Sequence, residues 1–278
     1  MPQVILPNSL TAIGYGAFYG CTNLTAIDVA SANPHYSSVG GVLFDKGQTA
    51  ILQYPFGRAG NYTLPDGVTS IGAEAFSRCA GLTEVTLPDS LTTIGNWAFF
   101  DCTGLTQVIL PNSLTTIGDG AFYGCTGLTQ ITLPDSLTSI GINAFSDCPN
   151  LRFVRFLGNA PSEEYPFFGD IIPFFGDIIV LYLPDATGWS DTFAGLPTTL
   201  WLPAIGRPTT AGGLSDGSFG FPVDWAPHRQ VTVEACADLT HPDWQTVGTL
   251  TLDATGAAQF SDPAAASHPN RLYRLRTP

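Results

Sequence analysis

The stretch NSLTTIGDGAFYGCTGLT, Asn112–Thr129, decides how this chain folds, because the chain writes it again and again. Near-copies begin at Asn8, Asp89 and Asp135, and a looser one, with Gly67-Val68 in place of Ser-Leu, begins at Asp66. Phe76, Phe99, Phe122 and Phe145 are spaced by 23 residues, as are Cys79, Cys102, Cys125 and Cys148. Phe18 and Cys21 stand 58 residues before Phe76 and Cys79, which is two periods plus a 12-residue insertion. A fixed period of this size means stacked supersecondary units, each unable to bury its apolar face alone. The chain is therefore expected to be a solenoid.

One period, read from Leu128, shows the build. Leu128, Ile131 and Leu133 form an L-x-x-L-x-L core, while Thr129, Gln130 and Thr132 between them face solvent, since side chains alternate along a strand. Pro134 ends the strand because it offers no N–H. Leu137 and Ile140 return to the interior on a second short extended piece. Gly141 then permits a turn, and Ala144-Phe145 reads as a short helical or 3₁₀ turn on the convex side.

These residues resemble the BspA-like, or Treponema pallidum-type, leucine-rich repeats of bacterial surface proteins. The likeness covers about residues 3–156 and rests on Ile-x-x-x-Ala-Phe-x-x-Cys following Leu-Pro-x-Ser-Leu. The insertion fits its longer repeat variant, through Asn33-Pro34-His35-Tyr36, Gly41–Lys46 and Tyr54–Gly57. On its own chemistry the insertion is a hairpin. Val42–Phe44 and Ala50–Gln53 bracket Asp45-Lys46-Gly47-Gln48, with Gly47 available for positive φ. The fold class expected is α/β to mainly β: a leucine-rich-repeat solenoid of 23-residue repeats with a concave parallel sheet and short convex turns, then a small antiparallel β-sandwich.

Residues 1–203 are assigned to the solenoid, with the hairpin insertion at about 31–62 and degenerate last repeats at 157–203. There PFFGDII occurs twice in tandem, at Pro166–Ile172 and Pro173–Ile179, and reads as a duplicated loop. Val180–Pro184 and Leu200–Pro203 read as two last strands, with Trp189, Phe193 and Trp201 closing the stack. Residues 204–218, rich in Gly, Thr and Pro, read as a linker. From Phe219 the pattern changes to five short runs with period-two stretches and turn residues between them, a C-terminal antiparallel module over 219–278. Its Val233–Cys236, Trp244, Phe260–Pro263 and Arg271–Leu275 segments resemble the C-terminal module of secreted repeat proteins in Verrucomicrobia-like bacteria, which implies a compartment rather than a function.

Charge excludes some partners. The chain carries 23 acids and 10 bases. Residues 1–206 hold 16 acids and 5 bases, a balance of −11, and residues 207–278 hold 7 and 5. Nucleic-acid binding needs clustered Lys or Arg, and anionic membrane surfaces are disfavoured by the same sign. No apolar run approaches the ~20 residues of a membrane helix. Met1 falls in mid-repeat, since Gln3–Leu10 repeats Gln107–Leu114 word for word. The chain is accordingly expected to be a fragment, and the missing signal sequence says little about compartment.

Motifs for chemistry fail on context. Gly213-Leu214-Ser215-Asp216-Gly217 matches G-x-S-x-G but lies in the linker rather than between a strand and a helix. His35, His228, His241 and His268 are scattered, and Glu163-Glu164 is an adjacent, solvated pair. Asp101 and Asp147 sit at equivalent turns without a D-x-D pattern. The cysteine column reads as buried thiols, because free Cys packs as a small hydrophobe and stacked copies have parallel Cβ vectors. No cofactor or metal is expected.

The expectation is a non-enzymatic, secreted or cell-surface repeat protein. The resemblance implies protein–protein or cell–matrix adhesion, with a protein or glycan ligand on host, matrix or neighbouring cells, no nucleic acid and no membrane insertion. A purely structural spacer or display stalk is the alternative, and a hydrolase using Ser215 a remote third. Variation at exposed strand positions separates the first two. The candidate ligand-binding residues are Glu84, Thr86, Gln107, Ile109, Gln130, Thr132, Arg152, Phe153 and Arg155, the last three forming the aromatic and cationic cluster of the repeats.

Overall fold

In a computed structural model of the 278-residue chain, the structure describes residues 2–14, 16–160, 178–205, 219–238, 242–267 and 271–277. The tandem PFFGDII copies up to Asp177, Glu163-Glu164, Ser215, His241 and His268 lie outside them. Two compact units are formed, Met1–Tyr182 with Ala186–Thr199, and Leu183–Asp185 with Leu200–Pro278.

The first unit is the solenoid, and each residue type of the repeat has a mechanical reason. The Leu-Ile-Leu positions are buried, as at Leu128, Ile131 and Leu133. Their strands stack in parallel and in register, Gln107 on Glu84 and Ile109 on Thr86, Gln130 on Phe153 and Thr132 on Arg155. The second extended pieces, Ser70–Ile71, Thr93–Ile94, Thr116–Ile117 and Ser139–Ile140, form a second parallel sheet. Ahead of them the repeated serine reaches back one coil: Ser90, Ser113 and Ser136 donate to the carbonyls of Val68, Leu91 and Leu114 at 2.7, 2.6 and 2.6 Å. Gly95 is required by crowding, since a Cβ there would lie 2.8 Å from the Ala73 nitrogen on the coil below.

The convex turns are not helical. Phe76, Phe99 and Phe122 donate their N–H to the carbonyls of Ala98, Ala121 and Ala144 on the next coil. Those bonds hold two positions per turn in the left-handed region. Glu74, Trp97, Gly120 and Asn143 are one such column, and Arg78, Asp101, Gly124 and Asp147 the other. Left-handed backbone costs an ordinary residue roughly 1–2 kcal/mol, so glycine is cheapest there and the inter-coil bonds carry the rest. The fold therefore lands on the mainly-β side of the expectation. Among the described residues the one helical element is the 3₁₀ turn Ala265–Ser267, and no helix is long and apolar enough to cross a membrane.

Beneath these ladders runs a column of buried rings. Phe76, Phe99, Phe122 and Phe145 stack with centroids 4.8, 5.1 and 5.3 Å apart and planes within 9°. The thiols pack beside them, free and buried. Cys102, Cys125 and Cys148 each donate to the carbonyl of Phe76, Phe99 or Phe122, at 3.0, 3.2 and 3.2 Å. Burial pushes Cys79 and Cys148 up to about 12, and Cys102 and Cys125 well above the ordinary thiol value. The first repeat lies outside this column, with Phe18 half-buried and Cys21 exposed.

The insertion is a three-stranded meander of Tyr36–Val39, Val42–Asp45 and Ala50–Gln53. Ala50–Gln53 then joins the second parallel sheet beside Ser70–Ile71. Its second turn departs from expectation, for the positive φ falls on Gln48 rather than Gly47. Asp45 holds that turn by accepting from the N–H groups of Thr49 and Ala50 at 2.7 and 2.8 Å.

At the other end of this unit, Ile179–Tyr182 adds a parallel strand to Phe153–Phe156. Leu196–Leu200 forms the last strand, ending where Leu200–Pro203 was expected to begin. Phe156, Tyr182, Trp189 and Phe193 close the core through ring contacts of 4.8–5.6 Å. Trp201 belongs to the second unit instead, where its carbonyl accepts from Trp225 Nε1 at 2.6 Å.

That second unit holds two three-stranded sheets. Ala204–Ile205, expected in the linker, pairs with Phe219–Asp224, which pairs with Ala257–Asp262. Gln230–Cys236 lies between Gln245–Thr251 and Leu272–Arg276, all antiparallel. Phe221, Val223, Val231, Val233 and Phe260 are buried between these sheets.

Candidate functional site

The nine candidate residues lie on the solenoid's strand face, outside the column Val85, Val108, Ile131 and Val154 that turns inward. One correction concerns continuity. The face is not one hydrogen-bonded sheet but three segments: Gln3–Leu6 with Ala26–Val29, the strands from Gly60 to Ile109, and those from Gln130 onward. The insertion accounts for the first break. Nothing in the residue types explains the second, between Gln107–Ile109 and Gln130–Leu133, across which the phenylalanine stack runs unbroken.

The second break divides the candidates. Glu84, Thr86, Gln107 and Ile109 surround a hollow of about 130 Å³, completed by Asp89 and Pro111 and bordered by the core-facing Val85 and Leu87. Glu84 is oriented by Asn61, whose Nδ2 donates to its carboxylate at 3.0 Å, while Thr83 Oγ1 donates to Asn61 Oδ1 at 2.7 Å. Ile109 is 60% exposed.

Beyond the break stand Gln130, Thr132, Phe153 and Arg155. Arg155 Nη1 donates to Gln130 Oε1 at 2.6 Å, and its guanidinium lies 5.4 Å from the centre of the Phe153 ring. Burial lowers the Arg155 pKa from its usual value. Arg152 stands apart at the strand's start, exposed, its Nη1 donating to the carbonyl of Pro149 at 3.0 Å. The cluster expected of Arg152, Phe153 and Arg155 is thus a Phe153–Arg155–Gln130 group with Arg152 at its rim.

Sequence reasoning missed Asn61, Asp89 and Pro111. Asn61 could have been found, since it precedes Glu84 by one period. Asp89 and Pro111 follow their own strands by three and two residues, in irregular segments where alternation no longer assigns a face.

The face presents carboxylate, amide, guanidinium and apolar side chains outward. Among the described residues no three of His, Cys, Asp and Glu come together as a metal site. His228 occupies a turn with φ 58°, and the repeat thiols point into the core.

Residues 1–55 and 53–169 match the BspA type leucine rich repeat region, in six copies. Among solved structures, the pneumococcal vaccine antigen PcpA is similar over 66% of this chain and 51% of its own, at 26% identity and a TM-score of 0.57. A leucine rich cell surface protein from Faecalibacterium prausnitzii is similar over 58% of this chain and 43% of its own, at 30% identity and a TM-score of 0.53. The chain thus spans about half the length of these structures or less. No curated protein matches it. The repeat grammar, the coil-to-coil ladders and the family match over more than half the chain agree, and the chain belongs to the family of BspA-type leucine-rich-repeat proteins.

Proposed function

We propose that this protein is a non-catalytic binding scaffold at the bacterial cell surface, mediating adhesion through the strand face of its solenoid. One observation carries the reading: the repeat holds its core and ladder residues constant while the outward strand positions change. Position 109 and its equivalents one coil away read Thr86, Ile109 and Thr132, and the column beside them reads Glu84, Gln107, Gln130 and Phe153. Core constancy follows from stacking alone. An exposed isoleucine, phenylalanine and arginine on one face do not, and aromatic and arginine side chains dominate binding hot spots. A surface location draws support from the F. prausnitzii relative, described as a cell surface protein, and from the pneumococcal relative, a vaccine antigen.

The test is a screen of matrix proteins and glycans against the whole chain, repeated with Arg152→Glu combined with Arg155→Glu. Binding lost at unchanged melting temperature supports the strand face. Binding retained by the stable double variant moves the site elsewhere, most plausibly to the meander at Val42–Gln53. Absence of binding across the screen would favour the stalk reading.

A further inference from the structure

We propose that the hollow bordered by the paired Leu82–Thr86 and Gln107–Ile109 strands and the residues that follow them receives one lysine or arginine side chain of a partner protein; this inference rests on the strand-face reading. Size sets the class of ligand first. At about 130 Å³ the hollow is well below the roughly 300–1,000 Å³ of small-molecule sites and holds a single long side chain.

Its chemistry then selects which side chain. Ile109 and Pro111 give it an apolar wall, and two carboxylates, Glu84 and Asp89, stand on the lining; Val85 and Leu87 border it with their side chains turned to the core. Among the described residues neither carboxylate has a cationic partner within ion-pair distance. Glu84 is pre-oriented by the neutral amide of Asn61, which fixes the carboxylate without cancelling its charge. An apolar stem with a cationic head is the amphipathic form of lysine and arginine, whose methylenes lie along apolar surface while the charge reaches polar groups. A bare metal ion is disfavoured by the apolar wall and, among the described residues, by the want of a third carboxylate or imidazole. An anionic partner is repelled by residues 1–206, which carry 16 acids against 5 bases.

Ile109 supplies an independent reason to place a partner here. Its column carries threonine on the coils to either side, at Thr86 and Thr132, and Thr63 pairs with Thr86 one coil further back. Threonine is enough for the strand at that position. An isoleucine left 60% exposed gives the fold nothing, but it gives a ligand stem a surface to cover.

The experiment pans a displayed library of random seven-residue peptides on the immobilised whole chain, then measures affinities of the selected peptides by fluorescence anisotropy. The expected result is enrichment of Lys or Arg at one fixed position. Glu84→Gln with Asp89→Asn should weaken those peptides at least tenfold, and Ile109→Thr severalfold, with melting temperatures unchanged. Glu84→Lys should bind the peptide whose basic residue is changed to Glu better than it binds the parent, a swap that diffuse charge attraction does not give. Peptides lacking a basic residue, or indifferent to Glu84→Gln with Asp89→Asn but lost on Arg152→Glu with Arg155→Glu, overturn the inference and leave the strand-face reading intact. No enrichment, or binding indifferent to both sets of variants, overturns both.

Discussion

The two units of this chain solve the problem of polar groups in a core in opposite ways. The solenoid keeps neutral groups in copied rows: buried phenyl rings stacked 4.8–5.3 Å apart, buried thiols and half-buried serine hydroxyls. The C-terminal unit buries charge. Glu234 is 4% exposed and receives Arg274 Nε at 2.7 Å and Arg276 Nη1 at 3.4 Å, while Asp262 receives Arg271 and Tyr273 Oη, the latter at 2.9 Å. Among the described residues these are the only buried carboxylates. Periodicity explains the difference. A charge placed in a repeat is copied onto the next coil, and two like charges 5 Å apart repel by roughly 3 kcal/mol at an effective dielectric of about 20. A sandwich position occurs once, so a carboxylate there can have an arginine of its own.

The comparison breaks first if the ring column is not the solenoid's spine. Phe122 is fully buried between Phe99 at 5.1 Å and Phe145 at 5.3 Å, and no neighbour can move up to fill its place without leaving its own coil. Phe122→Ala should cost about 3–5 kcal/mol. A urea melt displaced by less than ~1 kcal/mol would remove the spine from the account.

Alkali is the next lever, and it should act on the solenoid. Burial pushes the Cys79 and Cys148 thiols up to about 12, from 9.0 for an exposed thiol. A group whose folded pKa is raised gives stability that is intact below the unfolded pKa and lost as pH climbs toward the folded one. At pH 10 each of these two thiols should therefore have cost the solenoid about 1.4 kcal/mol relative to neutral pH, with Cys102 and Cys125 acting in the same direction. Replacing Cys79 and Cys148 by Ala should flatten the slope of the unfolding free energy by about two protons near pH 10–11 and by progressively less toward pH 8. An unchanged slope would mean that the thiols are already exposed, and native mass spectrometry showing disulfides between coils would mean that they are not thiols at all.

Most of the solenoid was legible in residues, because each repeated letter has one local job: leucine for the core, proline to end the strand, glycine where coils touch. What stayed hidden depends on neighbours rather than on the letter. The convex turn looked helical because Ala144-Phe145 reads well in a helix, and the left-handed backbone at Trp97, Asp101 and Asn143 is imposed by hydrogen bonds from the adjacent coil. Asn33 read only as part of the insertion's motif, with no sign of its role: it is buried and saturated, donating to the carbonyls of Pro7 and Leu10 and accepting from the N–H groups of His35 and Tyr36. The outward strand positions were readable from alternation. The hollow was not, since Asp89 and Pro111 come from the irregular segments just after their strands, where alternation assigns no face.

Acid should single out the other unit. The Arg274 guanidinium holds the Glu234 carboxyl below its usual range. At Asp262 burial pushes upward but the bonds from Arg271 and Tyr273 outweigh it, so its pKa also falls. Depressed carboxylates give stability that is present above the unfolded value, about 4, and lost as pH drops through the folded one. Hydrogen exchange by mass spectrometry at falling pH should therefore open Gln230–Cys236 and Ala257–Asp262 while peptides around Phe99 and Phe122 stay protected. Protection lost first in the solenoid would reverse the contrast. Tyr273→Phe isolates one link of this network, and it should advance the acid opening of this unit to higher pH.

The finest test asks whether the solenoid's rungs act one at a time. Ser113 donates its hydroxyl to the Leu91 carbonyl at 2.6 Å from a half-buried position, so Ser113→Ala removes one neutral hydrogen bond and should cost about 1 kcal/mol. Ser90 and Ser136 make the same bond one coil before and one coil after. In a stack where each coil touches only its neighbours, stability is a sum of coil and interface terms. Ser90→Ala and Ser136→Ala share no interface, since the first loosens the coil of Val68 and the second that of Leu114. They should add to within about 0.5 kcal/mol. Ser90→Ala with Ser113→Ala strips both interfaces of a single coil and should depart from additivity by more than that. Equal coupling in both pairs would mean that the ladder strains and relaxes as one body, and the copied row of neutral groups would then be a single cooperative unit like the sandwich.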